Sequence, residues 1–292
     1  MPTYKEVLKK GKKLTRKHKK ESSATELLLL HFSSLEPTEL YLNYDEEMPK
    51  QQIEAFFKGL NKYLIDNLPV QQIIGYVYFY GYKFKVNNQT LIPRFETEEL
   101  VANVLILYDE YFKNRKVKLV DIGTGSGCLA IALAKEEPNI EVYATDISKE
   151  AINLAKENAK ELNASIKFFV GDMLEPLYKQ KFDILVSNPP YIPLKEKVDD
   201  IIYDNEPHLA LFGGEDGLKF YRKIINQANL ILNESAIIAF EHGYDKSEAI
   251  IEMAKAKFPD AKIFTLKDMQ KLDRMTFIIK GFKKFKNMKK NK

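Results

Sequence analysis

Four residues, Asn188-Pro189-Pro190-Tyr191, directly follow an apolar run that predicts a buried strand over residues 182–187. Neither proline has an N–H to donate, so the pair ends the strand and stiffens the backbone on either side. In open α/β sheets, ligands bind at the carboxyl ends of the strands. The amide of Asn188, a proline carbonyl and the ring of Tyr191 could therefore hold a planar group that carries nitrogen.

A second chemical signal lies upstream, where a short apolar strand contains Asp121 near its end. The strand is followed by a glycine-spaced turn, Gly123-Thr124-Gly125-Ser126-Gly127, and then by a run rich in Ala, Leu and Ile that predicts a helix. Glycines at alternate positions let the backbone turn tightly and approach a ligand without a Cβ in the way. Asp121 could accept hydrogen bonds from an amino group or from the turn.

Two further carboxylates follow the next two predicted strands. Asp146 lies 19 residues beyond Gly127, a spacing that suits hydrogen bonds to a ribose diol. Asp172 and Met173 follow a strand over residues 166–170, where Asp172 could accept from an adenine amine and Met173 could pack on the ring. No basic residue is placed for a 2′-phosphate, and nothing suggests hydride transfer. The four strand ends together indicate a nucleoside site.

The elements that must position these residues follow from the hydrophobic periodicity. Residues 95–280 alternate predicted strands and helices, which indicates a mostly parallel sheet with helices on both faces. Residues 1–68 predict a small helical domain, and residues 69–94 a β-hairpin connector that turns around Gly81. Residues 281–292 form a Lys-rich tail. Capping boxes are predicted at the starts of two of the N-terminal helices, at Thr3-x-x-Glu6 and Ser23-x-x-Glu26.

Composition limits the class of protein. The 292 residues suggest about two domains, and the 45% of apolar residues suffice for a sizeable core. The single cysteine, Cys128, excludes an internal disulfide and is interpreted as a small buried hydrophobe. Four scattered histidines predict no metal site, and no apolar run approaches the length of a membrane span. We expect a cytoplasmic protein, and nothing demands more than a monomer.

Charge is segregated along the chain. Residues 1–20 carry nine Lys or Arg against one Glu, and residues 280–292 carry seven Lys and no acid. These ends carry net charges of +8 and +7. Since the net charge of the whole chain is only +4, residues 21–279 carry a net charge of −11. Basic ends can attract RNA, although a solvated helix face and a Lys-rich tail explain the same pattern.

The strand-end motifs resemble those of class I S-adenosylmethionine-dependent methyltransferases, and further motifs make the resemblance specific. They occur in one order over residues 24–280: Pro69-Val-Gln-Gln72, Phe79-Tyr-Gly81, Leu91-Ile-Pro-Arg-Phe-Glu-Thr97, Asp121-Ile-Gly-Thr-Gly-Ser-Gly127, Asn188-Pro-Pro-Tyr-Ile192, Glu206-Pro207 and Ala210–Leu218. Together they are similar to the PrmC/HemK family, the glutamine-N5 methyltransferases of peptide chain release factors. The chain departs from the family motifs at three positions. Phe95 replaces the second proline of the usual Pro-Arg-Pro-Glu-Thr, Lys246 replaces a glutamine, and Lys271 replaces a glycine.

The resemblance implies a class I methyltransferase domain after a helical domain, S-adenosylmethionine as cofactor, and the Gln of a Gly-Gly-Gln tripeptide in release factors as substrate. It implies that Asn188 Oδ1 accepts one N–H of the substrate amide, that the carbonyl of Pro189 accepts the other, and that Tyr191 packs on the amide plane. Pro190 would complete the substrate site. The implied cofactor site consists of Asp121, Gly123, Thr124, Gly125, Ser126, Gly127, Asp146, Asp172, Met173 and Asn188.

Three other functions compete with this interpretation. Adenine N6 in DNA and an exocyclic amine in ribosomal RNA suit Asn-Pro-Pro-Tyr equally well, and the basic ends favour the RNA over the DNA. A DNA enzyme must also flip its base and usually carries a sequence-reading domain. A protein that binds S-adenosylmethionine without catalysis is the third, and the intact Asn188 and glycine turn argue against it.

Overall fold

The computed structural model describes residues 1–282, which divide into two compact units. The first unit contains residues 1–76, 86–88 and 198–205, and the second contains the rest of the described chain. The predicted Lys-rich tail lies, over residues 283–292, outside the described residues.

The helices and strands alternate after residue 112, as predicted. The helices are α1 (Tyr4–Lys17), α2 (Ser22–Ser33), α3 (Pro37–Leu42), α4 (Lys50–Leu64), α5 (Val70–Ile74), α6 (Phe95–Phe112), α7 (Cys128–Glu136), α8 (Lys149–Glu161), α9 (Asp200–Asn205), α10 (His208–Leu211), α11 (Lys219–Gln227) and α12 (Ser247–Lys257). The strands are β1 (Tyr76–Phe79), β2 (Tyr82–Lys85), β3 (Val117–Ile122), β4 (Ile140–Asp146), β5 (Ile166–Val170), β6 (Phe182–Ser187), β7 (Leu232–Glu241), β8 (Lys262–Lys267) and β9 (Asp273–Lys280).

The first unit is helical, and its helix starts test the capping predictions. The capping box at Thr3 is confirmed, because its side chain accepts from the amide of Glu6 and the Glu6 side chain accepts from the Thr3 amide. The capping box at Ser23 is wrong, because an N-cap there would start α2 at Ala24, whereas α2 begins two residues earlier, at Ser22, with Glu21 as N-cap and no side-chain cap. Ser23 therefore lies inside the first turn, where its backbone is already helical.

Close packing of α1, α2 and α4 depends on glycine. A Cβ on Gly11 of α1 would lie 2.7 Å from Thr25 Cγ2 and 2.8 Å from Phe56 Cζ, so α2 and α4 could not approach as they do. The core of this unit consists of apolar side chains from these helices, including Leu28, Phe56 and Leu60, which are fully buried.

The second unit is built on a seven-stranded sheet of order β5-β4-β3-β6-β7-β9-β8. Strands β3 to β7 pair in parallel, and β9 runs antiparallel between β7 and β8. This is the class I methyltransferase fold that the sequence predicted. Strand order reverses at β3, which has β4 on one side and β6 on the other, and such a switch point places a crevice at the carboxyl ends.

Both faces of this sheet are covered, which explains why its strands are nearly continuous apolar runs. On β3, Leu119 packs into one core together with α6 and α7, whereas Val120 and Ile122 pack into the opposite core together with α11. The predicted hairpin is confirmed as β1 and β2, which turn at Tyr80 and Gly81. Among residues 1–282, no helix combines the length and apolarity needed to cross a membrane.

Candidate active site

The glycine turn after β3 forms an open cradle. Gly123, Gly125 and Gly127 all have positive φ angles, of 74°, 56° and 83°, which residues with a Cβ rarely adopt. A Cβ on Gly123 or Gly125 would meet no other atom within 4 Å, so the space above these two residues is free. The backbone can therefore approach a ligand directly.

Asp146, at the end of β4, ties the turn to the neighbouring strand. Its Oδ2 accepts from the amide of Gly125 and its Oδ1 from the amide of Ser148, both at 2.9 Å. Burial raises the pKa of this carboxyl, and the backbone amides oppose that effect. Since each carboxylate oxygen can accept more than one hydrogen bond, Asp146 can still accept from a diol.

Asp172 and Met173 follow β5 and reach the same crevice. Asp172 forms an ion pair with Lys223 of α11. Met173 has a φ angle of 53°, and its carbonyl accepts from Thr145 Oγ1 at 3.1 Å, so the hydroxyl holds this unusual turn. Both residues line the pocket described below.

Asn188 directly follows β6, the strand that pairs with β3 in the sheet. Its Nδ2 donates to Thr97 Oγ1 of α6 at 3.2 Å. The register pairs Ser187 of β6 with Phe240 of β7, so the next residues, Asn188 and Glu241, lie side by side. An inward-directed Nδ2 leaves Oδ1 of Asn188 as the acceptor on the side of the pocket.

One pocket joins these strand ends. It has about 1030 Å³ of empty space, including the part open to solvent. Of the residues predicted for the site, those that line it are Gly123, Thr124, Gly125, Ser126, Asp146, Asp172, Met173, Asn188 and Pro190. Asp121, Gly127, Pro189 and Tyr191 do not line it.

Asp121 lies beneath the cradle and is fully buried. Its Oδ2 accepts from Thr124 Oγ1 at 2.6 Å, and its Oδ1 has no hydrogen-bond partner within the described part of the chain. Burial raises the pKa of this carboxyl to about 7. Its observed contact is with the turn, which is one of the two roles that the sequence allowed.

Tyr191 is half-buried and packs beside the core that covers one face of the sheet. Burial raises the pKa of its hydroxyl to about 12, so the ring acts as a neutral group. Cys128 also lines the pocket, and burial raises the pKa of its thiol to about 12, which agrees with the interpretation of an unreactive side chain.

Sequence reasoning missed one wall of the pocket. Its residues come from the segment before α6 and from the loop around α10: Gln89, Thr90, Leu91, Pro93, Arg94, Thr97, Pro207, Leu209 and Ala210. The buried carboxylate of Glu206 joins the two, because it accepts from the amide of Ile92 at 3.0 Å and pairs with Arg94. The Leu-Ile-Pro-Arg and Glu-Pro motifs could have pointed to this wall, because both segments contribute residues to it.

The pocket fits S-adenosylmethionine, the cofactor expected from the sequence. The free space above Gly123 and Gly125 admits a ligand against the backbone, and Asp146 retains acceptor capacity for a ribose. Apolar walls for a flat ring come from Leu129, Ile147, Met173 and Phe220. Within residues 1–282, no group of three or more His, Cys, Asp or Glu side chains is placed to hold a metal ion.

Two family models and a set of curated proteins match this chain. Residues 6–75 match the family model of the PrmC N-terminal domain, and residues 98–213 match the methyltransferase small domain. The release factor glutamine methyltransferase of Bacillus cereus is 40% identical over 276 residues, which cover 93% of this chain and 97% of that protein. That of Bacillus subtilis is 39% identical over 279 residues, which cover 94% and 96%.

Among solved structures, the fold is similar to that of a methyltransferase from Pyrococcus furiosus. The TM-score is 0.50 at 18% sequence identity, and the match covers 70% of this chain and 91% of the other. At this identity the likeness concerns the fold alone.

Proposed function

Since this chain belongs to the release factor glutamine methyltransferase family, we propose that Asn188 holds the side-chain amide of a release factor glutamine while its nitrogen is methylated. The chain is a methyltransferase that uses S-adenosylmethionine. The proposed acceptor is the Gln of a Gly-Gly-Gln tripeptide. The observation that carries the proposal is that the open glycine cradle and Asn188 line one and the same pocket.

An amide nitrogen is a poor nucleophile, because its lone pair is delocalised into the carbonyl. Bound S-adenosylmethionine supplies an electrophilic methyl group, so the remaining task of the protein is orientation. Asn188 Oδ1 accepts one N–H of the substrate. The family resemblance assigns the other N–H to the Pro189 carbonyl and the face of the amide to Tyr191, two residues that do not line the pocket itself. Orientation of this kind can contribute about 7–11 kcal/mol in favourable cases.

The proton balance requires no dedicated base. As the new N–CH3 bond forms, the S–CH3 bond would break and its electron pair would stay on sulfur, so that S-adenosylhomocysteine leaves. The substrate nitrogen would thereby gain positive charge and become acidic. One N–H proton then leaves to solvent, and the product is the neutral N5-methylamide. We assign the cofactor contacts to the cradle Gly123–Gly127, to Asp146 for the ribose, and to Asp172 and Met173 for the adenine; Asp121 supports the cradle from below.

The choice of acceptor is tested by offering purified release factor, ribosomal RNA and DNA in parallel with methyl-labelled S-adenosylmethionine. Label in the release factor alone supports the proposal. Label in RNA or DNA, with none in the release factor, would show that the methyl acceptor is an exocyclic amine of a nucleic acid.

We propose that the helical residues 1–68 dock the release factor, with residues 69–94 as the connector to the catalytic domain, and that the chain acts as a monomer. In favour of docking, α3 exposes two adjacent large apolar side chains: Tyr41 is 72% and Leu42 77% exposed. Exposed apolar residues that lie together are typical of protein interfaces.

Replacing both Tyr41 and Leu42 with alanine should raise KM for the release factor about tenfold, which corresponds to about 1.4 kcal/mol for the pair, since truncating a residue that matters to an interface costs more than about 1 kcal/mol. The kcat should not change, because the pocket lies in the other unit. Ile65→Ala removes another exposed side chain of the helical unit, at 67% exposure, and is the control. Steady-state kinetics with varied release factor measure the effect, and an unchanged KM would contradict docking at α3.

We also propose a weak RNA contact through the basic ends. One face of α1 presents Lys5, Lys9, Lys12, Lys13 and Arg16 along a shallow groove. Lys5 and Lys12 pair with Asp45 and Glu26, whereas Lys9, Lys13 and Arg16 are exposed to solvent.

Changing Lys9, Lys13 and Arg16 together to alanine should weaken binding of a short RNA and make it less dependent on salt. The slope of log K against log salt should fall by about two, since each single-strand phosphate contact contributes about 0.7. Fluorescence anisotropy at several salt concentrations measures this slope. If the unchanged protein shows no RNA binding at low salt, the proposed contact is wrong.

A further inference from the structure

The backbone directly after Asn188 carries the Pro189 carbonyl and the Tyr191 ring, both of which the proposed function assigns to the substrate amide. Within residues 1–282, no backbone–backbone hydrogen bond joins Pro189, Pro190 or Tyr191 to another part of the chain. Two of these residues are prolines, which have no N–H to donate. The direction of this backbone is therefore held by the groups that pack against it.

Residues 211–217, which we call the clamp, lie along this backbone. The clamp directly follows Ala210, a residue that lines the pocket. At Ile192, where hydrogen bonding resumes, the amide donates to the Leu211 carbonyl at 3.1 Å and the carbonyl accepts from the Gly213 amide at 2.9 Å. These two bonds bring the clamp alongside the three residues that form no such bonds.

Two glycines allow the clamp to approach closely. A Cβ on Gly213 would lie less than 3.0 Å from the carbonyl oxygen of Pro190, and one on Gly217 less than 3.0 Å from that of Tyr191. Real Cβ atoms essentially never lie so close to another atom. Both obstacles are backbone atoms, which cannot turn aside as the end of a flexible side chain can. A side chain at either position would therefore push the clamp and residues 188–191 apart.

We propose that Gly213 and Gly217 are positioning residues, which let the clamp close on residues 188–191 and fix the direction of their substrate-binding groups. Since the ring of Pro190 fixes its φ angle, a clamp that holds the Pro190 carbonyl also restrains the preceding peptide group, which carries the Pro189 carbonyl. The inference rests on the proposed function of this segment and adds two residues that act through it. Neither glycine lines the pocket.

Gly213→Ala and Gly217→Ala each add one methyl group to the clamp. Each should lower kcat about 10- to 100-fold, because a displacement of about 1 Å in a positioned group can cost about 100-fold in rate. The calorimetric Kd for S-adenosylmethionine should stay near wild type, since Asp146 holds the glycine cradle through hydrogen bonds that do not involve the clamp. Single-turnover methylation of release factor measures the rate.

Gly281→Ala is the matched control. Gly281 has a φ angle of 73°, against 76° for Gly217, and its Cβ would likewise lie less than 3.0 Å from a carbonyl oxygen, that of Glu234. Glu234 lies near the start of β7, whereas the pocket lies at the carboxyl ends of the parallel strands. This variant should lower Tm and leave kcat unchanged. Gly81→Ala, with a φ angle of 78° and no atom within 4 Å of its Cβ, measures the effect of the φ angle alone.

A double variant tests whether the clamp acts through the substrate-holding segment. Gly213→Ala should lower kcat much less in Asn188→Ala than in the wild type, because the substrate amide has already lost its orientation there. A purely structural role would give the same loss in both backgrounds. Losses that multiply in full would therefore contradict the proposal.

Asp216→Ala loosens the clamp without adding an atom to it. The exposed carboxylate of Asp216 accepts from the Leu218 amide at 3.1 Å and pairs with Arg222. Its loss should lower kcat several-fold, because the end of the clamp is then less firmly held. If one glycine variant fails to fold, the other carries the test, and if both fail, Asp216→Ala carries it.

The inference and the proposed function fail differently. If Asn188→Ala abolishes turnover while the folded clamp variants match wild type, the clamp proposal is wrong and the role of Asn188 stands. If Asn188→Ala keeps wild-type turnover, the proposed function is wrong and the clamp proposal fails with it. Equal losses in kcat for Gly281→Ala and Gly217→Ala would also overturn the clamp proposal, because the effect would then be one of general destabilisation.

Discussion

Replacing Asn188 with alanine should lower kcat by about 10²–10³, the loss seen when a preorganised polar contact is removed from an active site. The variant loses the acceptor for one substrate N–H and the bond to Thr97, so the amide nitrogen is no longer aimed at the methyl group. Binding of S-adenosylmethionine should change little, because the cradle and Asp146 are held by hydrogen bonds that do not involve Asn188. Single-turnover methylation of release factor and calorimetry of the cofactor measure the two quantities.

Asn103→Ala is the matched control for this variant. Asn103 is also half-buried and lies on α6, where its Nδ2 donates to the Glu99 carbonyl at 2.8 Å, away from the pocket. Its loss should leave turnover unchanged. Wild-type kcat in Asn188→Ala would refute the assignment of Asn188.

Asp146→Ala should weaken binding of S-adenosylmethionine about 10- to 100-fold. The carboxylate holds the amides of Gly125 and Ser148, and hydrogen bonds to charged groups contribute about 1.5–3 kcal/mol. Its loss releases the cradle and also removes the proposed acceptor for the ribose. Saturating cofactor should recover much of kcat, because Asn188 is unaffected.

Asp183 offers a close control at the opposite end of the sheet. This carboxylate also accepts two hydrogen bonds, from the Lys118 amide and from Asn233 Nδ2, both at 2.8 Å. Asp183→Ala should lower stability without changing the Kd of the cofactor. If calorimetry gave the same Kd for Asp146→Ala as for wild type, the assigned role of Asp146 would be wrong.

Features that depend on local sequence could be predicted. The strands of the sheet are apolar runs because both faces are covered, and the runs after residue 116 gave the strand ends where the pocket lies. The glycine turn could be predicted because its spacing is itself the signal for positive φ angles, which Gly123, Gly125 and Gly127 adopt.

Features that depend on contacts between residues far apart in the sequence could not be predicted. Thr97 meets Asn188 across 91 residues of sequence, and Glu206 meets Ile92 across 114. Nothing local distinguishes Glu241 from the many exposed acids of the chain, and only the pairing of β6 with β7 places it beside Asn188. The capping box at Ser23 failed for a local reason, since α2 begins two residues earlier than the motif indicates.

The central claim is that the glutamine of a release factor is the methyl acceptor. The most direct test is transfer of labelled methyl from S-adenosylmethionine to purified release factor, with its Gly-Gly-Gln intact or with that Gln changed to Ala. The account predicts label in the intact release factor and none in the Gln→Ala form. Equal label in both forms, or none in either while the cofactor still binds, would contradict it.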